Sequence, residues 1–343
     1  MKPKEVVLTA INGQKPSRVP VAILSGGAWT FNNRGFTLEE VLDQPELMAR
    51  IIVETNEQVK SDIVWPGSGY NNLSVRALGG KIKFRPRGVP DVVEPLLKGA
   101  GDVDRINPER LREDEGVSNL WQVTALVDRA IGEDTLVGFS GWGPFSLAAQ
   151  LYGVERLMRD IYRDKPAVHA VLELATEISF RYYEAAIRAG ARILSIGEPT
   201  ASGDLISRQH FEEFVLPYLG IYMKRTKEAG GLNLLHICGN ITNRLDLIPS
   251  CGADVLSVDY KVDLVRVREA VGSKIAFAGN VNPVAVLEVA TPEEVVAVSR
   301  ECIETVGLEG NFILMPGCDL SPGVPQENIK ALIETGLNRQ LSA

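Results

Sequence analysis

Cysteine and histidine are scarce in this chain, with four and three among 343 residues. So few cysteines over that length cannot staple a fold, which excludes a disulfide-framed secreted scaffold. The expected setting is a reducing cytoplasm, where Cys and His placed together point to metal binding or catalysis. No run approaches 18 uncharged apolar residues, so no membrane span is expected. The first twenty residues, "MKPKEVVLTAINGQKPSRVP", carry charges throughout and no apolar segment, and do not read as a signal peptide. Lysine and arginine are nowhere concentrated and the formal net charge is −8. Nucleic acid and anionic membrane are therefore poor partners. No Gly- or Pro-rich linker, internal repeat or low-complexity tract divides the chain. One domain over residues 1–343 is expected.

What the sequence does hold is apolar: 45% of residues are hydrophobic and 23% charged, ordinary for a globular protein with a large core. Eight short, nearly continuous apolar runs read as strands buried on both faces of a parallel sheet. They cover Val19–Leu24, Asp62–Pro66, Thr135–Ser140, Arg192–Glu198, Leu232–Cys238, Asp254–Asp259, Lys274–Asn280 and Asn311–Cys318. Helical stretches fill the gaps. In "TPEEVVAVSRECIETVG", Thr291 reads as the N-cap, Pro292 as the first helical residue, Glu294 as the second half of a capping box and Gly307 as the stop. Val295, Val298, Cys302 and Val306 form its buried stripe. A long amphipathic helix ends at Gly190, and another from Ser207 carries Pro217, which predicts a kink. Alternating strands and helices in this number specify a (β/α)8 TIM barrel, class α/β. The polar, irregular stretch 81–118 reads as an insertion over one barrel mouth.

Chemistry in such barrels collects at the carboxyl ends of the strands. Those positions here hold Glu198, His236, Cys238, Asp259, Asn280 and Cys318. In "LLHICGN", His236 and Cys238 have the same parity on one strand, so both side chains point to the same side. Cys318 occupies the equivalent place in "MPGCDLSPG". One nitrogen and two sulfur donors suit zinc, with a fourth position left open. The plainer reading is a buried cysteine acting as a small hydrophobe and a histidine hydrogen-bonded in the core. Cys302, on a helix stripe, and Cys251, in "PSCGAD", read as structural. His169 and His210 lie on helices without an evident partner. Glu198 and Asp259 can cap the helices that follow, supply a fourth metal ligand or orient the ligand histidine. Asn280 and Asn282, in "AGNVNP", can bind a substrate or simply form the turn. Trp29, Phe31, Trp65 and Tyr70, near the first strand ends, can line an apolar pocket or pack the core.

The stretches "KPSRVPV", "GFSGWGPFSLAAQLYG", "EPTASGDLISRQHFEEFVLPYL", "LSVDYKVDLVRVREAVG", "AGNVNP" and "PGCDLSPGVPQENIKALIE" resemble, in order and over almost the whole chain, the uroporphyrinogen decarboxylase superfamily. The decarboxylases carry an arginine-rich segment near the N-terminus and an aspartate after the next strand. Here those stretches read "AILSGGAWTFNNRGF", with Arg34 alone, and "WPGSGYNN", without an acid. "HICGN" with the later "PGC" instead resembles the zinc-dependent corrinoid methyltransferases, the methylcobamide:coenzyme M enzymes among them. That resemblance implies zinc on His236, Cys238 and Cys318, while Glu198 and Asp259 stand as catalytic candidates and Asn280 and Asn282 as cofactor-binding candidates from their places at the strand ends. Cobalamin-independent methionine synthase, with an acidic ligand in a similar order, makes Asp259 a candidate fourth ligand. It further implies methyl transfer from a corrinoid to a thiol such as coenzyme M, or to a folate. The corrinoid (cobalamin) is expected on a separate small corrinoid-binding protein, since no "DxHxxG" signature occurs here. The alternatives are a demethylase acting on a methyl donor such as a methoxylated aromatic, and a decarboxylase-like or metal-free binding protein.

Overall fold

The computed structural model describes residues 1–272 and 274–341. Seven apolar runs form hydrogen-bonded parallel strands. These are β1 (Ile63–Val64), β4 (Leu136–Trp142), β5 (Ile193–Gly197), β6 (Leu232–Ile237), β7 (Val255–Val258), β8 (Ala276–Val281) and β9 (Phe312–Pro316), in that spatial order. The segment Val19–Leu24 lies between β9 and β1 and closes the (β/α)8 barrel. Leu314 N donates to Pro20 O at 2.9 Å, Ala22 N to Leu314 O at 3.0 Å and Asp62 N to Val21 O at 2.9 Å. Pro20 has no N–H to give, and side chains complete the pairing instead. Val21 N donates to Asp62 Oδ2 at 2.9 Å and Ile23 N to Ser61 Oγ at 3.1 Å. The predicted strand is therefore an extended segment with a single parallel bridge, Val21 to Leu314.

Inward-facing residues sort by height. Ile63, Leu136, Ile193, Leu234, Val255, Ala276 and Ile313 pack inside the barrel, together with Val7 from the N-terminal helix Pro3–Ile11. Further along the same strands the inward residues turn polar: Ser140, Ser195, His236 and Ser257. The carboxyl end of the barrel is thus its wet end.

The helices follow their sequence signals. Thr291 Oγ1 accepts from Glu294 N at 3.3 Å and caps Pro292–Val306, whose buried stripe includes Val295, Cys302, Ile303 and Val306, with Val298 at its margin. Before Pro217 the chain makes a π-helical turn, Phe211–Val215, and then resumes as the helix Leu216–Glu228. The widened turn accommodates the missing proline N–H. The insertion is a hairpin of β2 (Lys81–Lys83) and β3 (Asp91–Glu94) followed by 3-10 turns at Ala100–Arg105 and Pro108–Glu113. Its loop lies at the barrel mouth, where Pro90 O accepts from Asn72 Nδ2 at 2.9 Å and Arg87 donates to Pro322 O at 3.1 Å. Among the described residues, no helix is long and apolar enough to cross a membrane.

Closure of the barrel rests on Asp62. Its fully buried carboxylate takes both Arg18 guanidinium nitrogens at 2.7 Å as well as Val21 N. Asp62→Ala strands a nearly buried cation and opens the seam, and should cost about 3–5 kcal/mol. Urea unfolding checks this, and a loss below about 1 kcal/mol, the value of an exposed pair, would show that the seam does not depend on it.

Candidate metal centre

Parallel register places the site. Across the sheet, Trp142 pairs with Gly197, Gly197 with His236 and His236 with Ser257. His236 therefore projects inward at the wet end, and Cys238 follows it just beyond the strand. The chain turns at Gly239, with φ of +78°, where a Cβ would lie 2.4 Å from Ser202 Oγ and 2.5 Å from Asp204 Oδ2. Only glycine fits that turn. Cys318 enters from the loop after β9. The three ligand atoms lie within 4.8 Å of one another, a grouping able to hold a metal ion. His236 Nε2 is 3.1 Å from Cys238 Sγ, which is 3.4 Å from Cys318 Sγ. His236 Nδ1 lies 3.0 Å from Ser257 Oγ, which orients the ring.

These donors shift one another's protons. The Cys238 thiol beside it, and His236 next, hold the Cys318 thiol well below its usual range. Cys238 is pushed up in turn, first by its bond to Cys318 and then by burial. Without a metal Cys318 is thus the first of the pair to lose its proton. His236 is drawn upward by Cys318 against its own burial.

The group opens onto a cavity of about 300 Å³. His236, Cys238, Cys318, Trp142, Asn72 and Asp319 are among its lining residues. Asp319 lines the cavity and is exposed to solvent at its mouth.

The other strand-tip residues spend their polar atoms on the backbone. Asp259 Oδ2 accepts from Gly239 N at 2.9 Å and Oδ1 from Lys261 N at 3.0 Å, and the carboxylate stands outside the three-atom group. Glu198 is fully buried at the start of the helix Pro144–Tyr152, accepting from Phe145 N at 2.9 Å and Ser146 N at 2.7 Å. Burial raises it to about 7 against the pull of those amides. Asn280 donates to Asp259 O at 3.1 Å and Val262 O at 2.7 Å, whereas Asn282 Oδ1 accepts from Val284 N and Ala285 N. Neither asparagine lines the cavity. Trp29, Phe31, Trp65 and Tyr70 are buried in the core, outside the lining. His169 is 2.8 Å from Tyr218 Oη, and His210 packs edge-on to Tyr162. Cys251 and Cys302 are buried away from the group.

Sequence reading misses Trp142, Asn72, Ser257 and Asp319. The first strand of the wet-end row runs two residues past the expected Ser140, and Trp142 is its last residue. Ser257 had a signal: it shares parity with Asp259, so it points inward.

The family profile described as uroporphyrinogen decarboxylase (URO-D) matches residues 2–337. Methylcobamide:CoM methyltransferase MtbA of Methanosarcina mazei is 31% identical over 250 residues, 73% of this chain and 71% of that protein. Methylcobamide:CoM methyltransferase MtaA of Methanosarcina barkeri is 26% identical over 339 residues, 96% of each. A methyltransferase from Methanosarcina mazei of known structure superposes with a TM-score of 0.85 at 25% identity, covering 98% of both chains.

In metal-stripped protein, Cys318 should be the alkylation site for iodoacetamide. Its lowered pKa keeps thiolate present well below the range of an ordinary cysteine, and the reaction fades as pH falls through that lowered pKa. Peptide mass spectrometry between pH 4 and 9 checks the order; equal labelling of Cys238, or none below pH 8, would contradict that order of ionisation.

Proposed function

The chain belongs to the uroporphyrinogen decarboxylase family, and on that premise we propose that it is a zinc-dependent methyltransferase. In this reading a methyl group passes from a corrinoid, carried by a separate small protein, to a thiol held in the cavity. The carbon–sulfur bond forms as the methyl–cobalt bond breaks with its electron pair left on cobalt, and the thiol proton goes to solvent. One observation carries the reading: His236 Nε2, Cys238 Sγ and Cys318 Sγ converge at the wall of a cavity at the wet end of the barrel. The relatives support it by their own activity as methylcobamide:CoM methyltransferases.

The donor set fits zinc. Ligand lengths of about 2.0–2.3 Å in a tetrahedron put donor atoms roughly 3.5–3.8 Å apart. Against that, the atoms here stand at 3.1 and 3.4 Å, closer by a few tenths of an ångström. Zinc held by His236, Cys238 and Cys318 would favour the thiolate form of a thiol bound beside them near neutral pH.

The chain's own residues set up that position. Ser257 fixes the His236 ring, so that Nε2 faces the sulfurs. Asp259 holds Gly239 N and thereby the backbone turn that carries Cys238. Glu198 ties the tip of β5 to the helix beginning at Pro144 and so keeps the Trp142 loop in place. Leu205, Tyr260 and Val284 are exposed on loops after β5, β7 and β8, at the end of the barrel where the corrinoid protein would dock. A porphyrinogen rich in carboxylates fits poorly, because Arg34 is engaged with Glu54 at 2.7 Å.

Purified protein should carry about one zinc per chain, and Cys238→Ala or Cys318→Ala should lose most of it. Ser257→Ala should weaken the metal about 10–100-fold while leaving the fold intact. Competition with a chromogenic chelator measures both. Methylcobalamin should lose its methyl group to small thiols with the native protein and not with the Cys318 variant. Full zinc retention in both cysteine variants, or demethylation unaffected by Cys318→Ala, would reject the proposal.

A further inference from the structure

The cavity wall is built in two rows. Trp142, Gly197 and His236 stand side by side in the upper one, with Ser140 and Ser195 as neighbours in the row below. A Cβ on Gly197 would lie 3.2 Å from two carbons of the Trp142 ring, so the indole lies over the glycine. Its Nε1 donates to Asn72 Oδ1 at 2.7 Å, and Asn72 Nδ2 is spent on Pro90 O. The indole is therefore a fixed apolar wall. Ser140 and Ser195 are 8% and 5% exposed and both line the cavity. Among the hydrogen bonds of the described residues, neither hydroxyl has a protein partner. Two neutral hydroxyls thus face the cavity with their hydrogen-bonding capacity free.

The charge at this wall is one-sided. Asp319 is the charged lining residue other than the metal-binding group, and no lysine or arginine is among the described lining residues. Arg87, at the hairpin tip, is turned onto Pro322 O at the rim. A sulfonate or carboxylate drawn into this space would lose its water without gaining a cationic side chain, and the two cysteinates already offset the charge of the zinc. An uncharged molecule with a hydroxyl would meet the two free serines and lay its carbon stem on the indole. Sites that hydrogen-bond a substrate hydroxyl discriminate strongly against analogues lacking it, because their own polar groups are left unpaired.

Resting on the methyltransferase reading, we infer that the small substrate is an uncharged, hydroxyl-bearing thiol. Trp142 and the Ser140–Ser195 pair select it, and anionic thiols are disfavoured. Specificity then sits on β4 and β5, apart from the ligands on β6 and the loop after β9.

Three thiols of matched length test this: 2-mercaptoethanol, 2-mercaptoethanesulfonate and cysteamine. Their binding to the zinc-loaded protein is measured by titration calorimetry without a methyl donor, corrected for each thiol's own ionisation. Their methyl transfer from methylcobalamin is followed separately. The neutral thiol should bind at least about tenfold more tightly than the sulfonate. Ser140→Ala and Ser195→Ala should narrow that ratio by weakening the neutral thiol alone. Trp142→Leu should weaken it too, with Trp142→Phe restoring most of the affinity, and thermal melts showing that each variant is folded. Equal or tighter binding of the sulfonate, no binding of any of the three, or a ratio indifferent to both serines would overturn the inference. Methyl transfer to the sulfonate at the highest kcat/KM would do the same while leaving the methyltransferase reading intact. The predicted binding order without any methyl transfer would uphold the neutral cavity and count against the reaction alone.

Discussion

The polar site at the carboxyl end of the barrel depends on the lateral register of parallel strands. Side chains two residues apart on a strand share a face, and register carries that face sideways to the next strand. Trp142, Gly197, His236 and Ser257 consequently form one continuous row at the carboxyl end. A one-residue slip in β6 would turn His236 into the helix layer and break the row. The large interior core below the row resists that slip. Asp62 and Arg18 matter for the same reason, since they close the seam on which register around the barrel depends.

Buried charge is handled in two ways at this end of the barrel. Glu198 loses all contact with solvent, yet it sits at a helix start where two backbone amides answer its two oxygens. Asp259 is answered by Gly239 N and Lys261 N. Both acids brace the walls and turns around the site. The sulfurs have less: Cys318 has the Asp319 amide, and Cys238 has no amide among the described residues. They face each other and His236, and in the absence of a metal Cys318 is the more readily ionised of the two. Backbone amides satisfy the carboxylates; a divalent cation would satisfy the sulfurs.

Much of this was legible in the residues. Apolar runs ending in Glu198, Cys238, Asp259 and Cys318 mark the strands and their wet ends, and shared parity brings His236 and Cys238 to one side. The segment at Pro20 reads as a strand because its apolar content is right, but a residue without an N–H makes only part of a ladder. What stayed hidden is long-range. Nothing in "SIGEP" says that Phe145 N and Ser146 N will meet Glu198, or in "SVDYK" that Asp259 will reach Gly239 N. Asn280 and Asn282 sit at a strand end like site residues, while their amides hold loops together. Trp142 was missed because "GFSGW" stops reading as a strand at its glycine, and only register reveals that this glycine lets the strand run on beside Gly197.

X-ray absorption at the zinc edge of the purified protein, before and after adding 2-mercaptoethanol, measures the centre itself. The account predicts two sulfur neighbours at about 2.3 Å and one nitrogen at about 2.0–2.1 Å, with a third sulfur appearing when the thiol is added. A shell of nitrogen and oxygen alone, or one that ignores the thiol, would contradict it.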